Sequence, residues 1–366
     1  MWGTWLARVH YRVRRAPDDA VPITLPPISI LKPIKGADEN LAKNLATFFS
    51  LQYPEFEIIF SVAESSDPAI GIVERLIQTH PNIDAKLVIG QRDFGPNPKV
   101  NNLVLPYRAA RFETVLISDS NVVVTPNYLH RLVSKLKPGV GLVTAVVAGR
   151  FPRGLGGFLE ADYLNTFYAR WMHIGAGFGF PLVVGKSMFF RKETLERFGG
   201  LNTMANYIAE DYMTGQAMRR LGLRVEMMDE PVVQNIGRHS FRDFWMRHIR
   251  WGRIRKSHAP FGFLFEPVMS LWLSAVIGAW AFHGAWGIPV RPFLLGYTLF
   301  WFFLDMLLVI KMETKINLRT LWSWALREII APVQWIHIAS GNTVQWRGIR
   351  LRVLPGGLLD SAFHSN

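Results

Sequence analysis

Four short segments carry side chains suited to handling a phosphorylated substrate. The first is Asp67, in Ser65-Ser66-Asp67-Pro68. A carboxylate there can take the N–H of a nucleobase, but Asp before Pro is also a good helix N-cap with Pro at the first helical position, and both readings stand. The second is Asp119, in Ile117-Ser118-Asp119-Ser120-Asn121, where a carboxylate and the Asn121 carbonyl can present oxygen ligands to a hard divalent cation holding a diphosphate. An Asx turn uses the same letters and is the commoner fate of a short acidic turn. The third is Asp211, in Ala209-Glu210-Asp211-Tyr212, a general base if it reaches a hydroxyl, or only an acid favoured in a helix's first turn. Its neighbour Glu210 is expected to point elsewhere on the helix, leaving one of the pair for a site.

The fourth segment is Arg247-His248-Ile249-Arg250-Trp251. Arg247 and Arg250 lie three apart, so they share a helix face from which guanidinium groups can clamp phosphate oxygens. The following Arg253, Arg255 and Lys256 read as a basic belt next to a membrane. Two supporting segments remain. Lys99, in Asn97-Pro98-Lys99-Val100-Asn101-Asn102, can reach a phosphate or base or stay a solvated loop lysine. Gly185, in Val183-Val184-Gly185-Lys186-Ser187-Met188, permits either close backbone approach to a ligand or a tight turn.

The elements that must position these residues alternate. From Ile28 to about Glu230, short apolar strands (Ile28 to Leu31, Phe56 to Val62, Ala85 to Ile89, Thr114 to Ile117) are interleaved with helical spacing over Asn40 to Leu51 and Pro68 to Gln78. That order predicts an α/β domain with a largely parallel sheet, whose strand ends are where such sheets bind ligands.

Composition adds a second medium. Hydrophobic residues make up 49% of the 366 and charged residues 19%, against roughly 25% charged in a soluble domain, so part of the apolar mass must sit outside water. Two apolar stretches, near 262–288 and 292–310, approach the roughly 20 residues a spanning helix needs. The third, near 321–340, contains Arg327 and Glu328 and precedes further arginines, which predicts a re-entrant or interfacial segment. The expected organisation is a basic linker over 1–27, too short to span a bilayer, a catalytic domain over 28–256, a membrane region over 257–346 and a basic tail over 347–366. Basic flanks at Arg247 to Lys256 and Lys311 to Arg319 put the α/β domain on the cytoplasmic side of an integral membrane protein. With no cysteine there is no thiol nucleophile and no thiolate metal site. The net charge of +13 suits an anionic lipid surface or a polyphosphate. Its clustering beside apolar segments, with no recognisable nucleic-acid module, argues against nucleic acid.

Taken together, these strings resemble the ceramide glucosyltransferase family, membrane-bound inverting enzymes related to cellulose and hyaluronan synthases, from Ile28 to about Trp346. The family's Lys-Pro-hydrophobic-Lys-Gly falls on Lys32 to Gly36, and its Asn-Pro-Lys-hydrophobic-Asn-Asn-Leu on Asn97 to Leu103. Its three aspartates fall on Asp67, Asp119 and Asp211, and its (Gln/Arg)-x-x-Arg-Trp on Arg247 to Trp251. The resemblance implies a nucleotide-diphospho-sugar transferase (Rossmann-like) domain with a C-terminal membrane-spanning helical region. By it, glucose passes from UDP-glucose to the primary hydroxyl of ceramide with inversion. Asp67 and Lys99 would contact the donor, Asp119 and Asn121 a divalent metal (Mg or Mn), Asp211 would act as base, and Arg247, Arg250 and Trp251 would hold the leaving UDP. The chain departs from the wider group at Asn121, where a second aspartate is usual, so one ligand brings oxygen without charge. It also offers at most the end of an amino-terminal span. The alternatives are a UDP-sugar transferase for a hopanoid or diacylglycerol and, outside enzymes, an adaptor on anionic membranes.

Overall fold

Apolar strands that are buried on both faces belong inside a helix-covered sheet, and the strands expected from the sequence form one. In the computed structural model, which describes residues 25–346 and 348–360, the first half of the chain is β1 (Ile28–Ile34), α1 (Leu41–Phe49), β2 (Phe56–Val62), α2 (Ile70–Thr79), β3 (Ala85–Ile89), α3 (Pro98–Ala109) and β4 (Thr114–Ile117). These four strands are parallel in the order β3-β2-β1-β4. The chain therefore moves outward from β1 through β2 to β3, then returns to the other side of β1. That reversal is the topological switch at which α/β sheets open a crevice beyond their carboxyl ends.

After β4 come β5 (Val122–Val123), α4 (Tyr128–Lys135), β6 (Val140–Thr144), β7 (Val147–Arg153), α5 (Gly154–Tyr163), a π turn (Leu164–Tyr168) and α6 (Ala169–Gly177). They are followed by β8 (Met188–Arg191), α7 (Lys192–Glu196), α8 (Glu210–Arg220), β9 (Arg224–Met227) and β10 (Val232–Arg238). The main sheet is extended by β8, β6 and β9, while β5, β10 and β7 form a second sheet. The sheet is mixed rather than largely parallel, because β8 runs antiparallel to both β4 and β6. The reason is positional: Met188 pairs with Ile117, so β8 starts where β4 ends, and the segment leading into it crosses the carboxyl edge.

The remainder is helical. α9 (Phe241–His258) starts from a Ser240/Asp243 capping box and leads into α10 (Pro260–Phe265), α11 (Leu271–Trp286), α12 (Val290–Lys311) and α13 (Leu318–Ala339). The stretch expected as one span near 262–288 is broken between Phe265 and Leu271, leaving 16 residues in α11, about 24 Å of helix. α12 has 22 residues at a mean hydropathy of 2.1 and is the one helix among the described residues long and apolar enough to cross a membrane. The third stretch is a single helix, α13. It turns Arg327 and Glu328 inward and Ile329, Val333 and Ile336 outward.

The tail expected from residue 347 onward has structure. A hairpin of β11 (Thr343–Trp346) and β12 (Ile349–Arg352), with the turn after it, packs Val344, Leu351, Val353 and Leu359 against Ile208 and Ala209. The linker expected over 1–27 lies outside the described residues up to residue 24, as do the last six residues of the chain.

Candidate active site

At the carboxyl edge, β1 sends Lys32 inward. This lysine is fully buried against the Phe48 ring, and its ammonium donates to the Asp119 carbonyl (2.7 Å) and the Ser118 hydroxyl (3.3 Å). Burial pushes it well below the ordinary lysine range, partly offset by Asp119. It pins the turn after β4 from beneath and leaves the Asp119 carboxylate facing outward.

The Asn-Pro-Lys-Val-Asn-Asn string now has a reason at each position. Asn97 caps α3 by accepting from the Lys99 and Val100 N–H groups, and it donates to the Tyr207 carbonyl, tying α3 to the segment before α8. Pro98 occupies the first helical turn, where a missing N–H costs nothing. Asn101 folds back onto Phe94 and Gly95, and Asn102 bridges the Ile34 and Ser61 carbonyls at the ends of β1 and β2. Lys99 is left to face the site.

There its ammonium lies 2.9 Å from Asp119 Oδ1 and 2.7 Å from Glu210 Oε1. Burial alone would lower it, but Asp119, Glu210 and Asp211 outweigh burial and hold it above the ordinary lysine value. Lys186 lies 2.9 Å from Asp119 Oδ2 and donates to Asn121 Oδ1 at 2.7 Å. Both Asp119 oxygens therefore face ammonium groups. Although burial opposes it, Lys186 and Lys99 hold the Asp119 carboxyl well below the usual range.

Asp211 opens α8, accepting from the Gly185 N–H at 2.8 Å and the Tyr212 N–H at 2.7 Å. Burial and the neighbouring Glu210 push it up to about 6, against Lys99 and those two N–H groups. A carboxyl poised there is suited to accept a proton near neutrality. Glycine at 185 leaves room for the cluster: a Cβ would sit 2.4 Å from the Lys99 ammonium, which would have to shift, and 3.4 Å from Asp211 Oδ2. The close approach expected of Gly185 is thus to the charged cluster itself. Glu210, expected to point away, is buried and faces Lys99, because the backbone turn entering α8 directs both carboxylates into the crevice.

The other expected residues sit around this cluster. Asp67 accepts from the Gly36 N–H with one oxygen and the Ala69 N–H with the other, each at 2.8 Å, so it joins the end of β1 to the start of α2 along the same edge. Arg247 and Arg250 do not meet. Arg247 turns to Glu160 of α5 (2.6 Å), a buried carboxylate that also accepts from Gln234 and contacts His239, while Arg250 lies over the Trp346 ring of the hairpin. Trp251 packs beside Tyr163 and His248 on the core side. The charge of Arg247 is still felt at Lys186, and that of Asp211 at the Tyr168 phenol. Sequence reasoning gave no role to Glu210, Lys186, Lys32 or Glu160. Lys32 and Lys186 lay inside quoted strings, and only the strand register shows that both converge on Asp119.

A divalent cation fits this donor set. Among the described residues no group of three or more His, Cys, Asp or Glu forms a protein-only cage. Asp119 and Asn121 offer two hard oxygen ligands, which suits an ion that keeps its remaining positions for waters and phosphate oxygens. Three carboxylates against two ammonium groups leave the cluster with one negative charge in excess, which a cation offsets.

The profile of glycosyl transferase family 21 matches residues 1–359. The chain is 31% identical to Ceramide glucosyltransferase 3 of Caenorhabditis elegans over 356 residues, covering 96% of this chain and 76% of that one. It is 30% identical to Ceramide glucosyltransferase 1 of the same organism over 364 residues, covering 98% and 77%. Among solved structures it is similar to the mannosyltransferase PcManGT from Pyrobaculum calidifontis in complex with GDP-Man and Mn2+, at a TM-score of 0.47 and 19% identity over 92% of this chain and 94% of that one, a likeness too loose to transfer any contact.

Proposed function

The chain belongs to glycosyl transferase family 21, and from that premise we propose that it is a hexosyltransferase that moves glucose from UDP-glucose to the primary hydroxyl of ceramide. The observation that carries this reading is the meeting of Asp119, Glu210 and Asp211 around Lys99 at the switch point of the sheet.

In a single displacement, the acceptor hydroxyl oxygen bonds to the anomeric carbon as the bond from that carbon to the β-phosphate oxygen breaks. The hydroxyl proton passes to Asp211, and UDP leaves with the electron pair, inverting the anomeric centre. Asp211 stands at the positive end of α8 with an elevated pKa, so it is ionised near neutrality yet basic enough to take the proton. Lys99 and Lys186 supply positive charge to the departing diphosphate, where most of the electrostatic stabilisation is needed. Asp119 and Asn121 would hold a divalent cation, Mg or Mn, which when bound supplies Lewis-acid neutralisation of the diphosphate. Asp67, on the same edge, would contact the uridine, and Arg247 would have to leave Glu160 to meet the departing diphosphate from α9.

Ceramide has a polar head on two hydrocarbon chains, and its hydroxyl can reach Asp211 without leaving the bilayer if the site lies at the cytoplasmic surface beside α11 and α12. The test is to incubate membranes containing the protein with labelled UDP-glucose, UDP-galactose and UDP-N-acetylglucosamine, with and without ceramide, and to identify the lipid product by mass. Glucosylceramide from UDP-glucose alone is expected. Intact protein that glycosylates no lipid with any donor overturns the reading.

A further inference from the structure

Lys186 occupies the place a divalent cation would take. Its ammonium bridges Asp119 Oδ2 and Asn121 Oδ1, the two oxygens that would ligate the ion. The two species exclude one another, since an ammonium and a divalent ion cannot share one oxygen pair within about 3 Å without severe like-charge repulsion. We propose that Lys186 is a resident counter-ion: in the donor-free enzyme it holds the cation position, and when the cation arrives with the nucleotide it swings onto a diphosphate oxygen. This rests on the reading of Asp119 and Asn121 as the cation pair.

The surroundings single out Lys186 as the group that moves. Lys99 also touches Asp119 but is fastened to Glu210 at 2.7 Å, a partner Lys186 lacks in its own contacts. The backbone around Lys186 is held on both sides, by the Gly185 N–H on Asp211 and by Ser187, whose hydroxyl meets Tyr128 at 2.5 Å and whose carbonyl accepts from Thr144. Only the flexible side chain is free to change partner. Once displaced, the ammonium needs an anion, and the bound diphosphate brings one to the same crevice. The exchange makes cation and nucleotide bind cooperatively, each raising the affinity of the other by the same factor. It also keeps the carboxylate neutralised when the donor is absent.

The experiment measures binding, with Mn2+ and UDP as the probes and no acceptor. Mn2+ affinity of the purified full chain is followed by electron paramagnetic resonance, with and without UDP, for the wild type and for Lys186→Met. Wild type is expected to bind Mn2+ weakly alone and more tightly with UDP. In Lys186→Met, donor-free Mn2+ affinity rises about tenfold, the lower end of what an opposed charge at contact distance imposes, and the UDP enhancement shrinks. Lys186→Arg, which keeps the positive charge, stays like wild type, and Lys186→Gln replaces the Met variant if that protein is not recovered. Unchanged or weakened Mn2+ binding in the neutral variant overturns the proposal, and loss of both Mn2+ and UDP binding assigns Lys186 a structural role instead. Because neither probe involves lipid, a protein that shows this competition but glucosylates no lipid sinks the proposed function alone.

Discussion

Asp211 carries the sharpest expectation at the scale of single residues. Asp211→Asn removes the proton acceptor while keeping the shape that receives the Gly185 N–H, so turnover should fall about 10²- to 10⁴-fold with the thermal unfolding midpoint little changed. The same carboxyl sets a pH limb. Burial and then Glu210 favour its protonated form while Lys99 and the Gly185 and Tyr212 N–H groups oppose them, with the balance at about 6. The base works only when ionised, so kcat/KM should rise with pH through about 6, and removing the like charge in Glu210→Gln should move that limb to lower pH. A rate that is flat from pH 5 to 8 would assign the proton transfer to another group. Gly185→Ala separates geometry from stability: its backbone needs no left-handed conformation, but the new methyl meets the Lys99 ammonium. Donor affinity should weaken while the protein remains folded. Asp119, Asp211 and Lys99 were legible because each sits in a short string at a strand or helix end. Glu210 was not, since helical periodicity cannot say how a helix enters its first turn, and that entry decides where two adjacent carboxylates point.

Elements determine whether those side chains stay in register. The segment before α8 is held from outside by the turn after the C-terminal hairpin, where Ile208 N–H donates to the Gly357 carbonyl and Leu359 N–H to the Asn206 carbonyl, and by α9, whose His258 ring Tyr212 rests on. Gly357 has a φ of +78°, and a Cβ there would fall 1.9 Å from the His258 ring. Gly357→Ala should therefore cost about 1–3 kcal/mol through strain and overpacking, seen as a lower unfolding midpoint. Activity should fall further than that loss explains, because the turn no longer pins the loop carrying Asp211. Normal turnover in a destabilised Gly357→Ala protein would separate that turn from the site. The strands and helices of the first half could be read from periodicity, since each buries an unbroken apolar run or one apolar stripe. The hairpin could not: its β11 and β12 are four residues each, two of the four in β12 are Arg, and their strand character comes from packing against Ile208 and Ala209, more than a hundred positions earlier.

At the scale of the whole molecule, the α/β portion and the apolar helices are joined by buried charge. Asp305, fully buried within α12, pairs with Arg170 of α6 and accepts from the Trp324 indole at 2.9 Å, while Arg327 of α13 reaches Asp162 of α5 at 2.5 Å. Sequence marked Arg327 as an obstacle to spanning, and its partner Asp162 lay too far along the chain to be inferred. Arg170→Met, which leaves Asp305 only the Trp324 indole and the more distant Arg327 guanidinium at 3.6 Å, should cost about 3 kcal/mol, and replacing both Arg170 and Asp305 by apolar residues should cost less. The same fastening constrains topology. α11 and α12 are joined by only three residues and pack as an antiparallel pair, so their outer ends, at Ser270 and Lys311, are expected on the same side of a membrane as the domain. The absence of native cysteine allows a direct test with single exposed cysteines and an impermeant maleimide in sealed vesicles of either orientation. Lys43→Cys on α1 and Lys315→Cys after α12 should label together from the cytoplasmic side, and Gly284→Cys near the hairpin tip only from the other. Labelling of all three from one side would make the hairpin a re-entrant wedge, and labelling of Lys43→Cys from the far side would remove the domain from the cytoplasm.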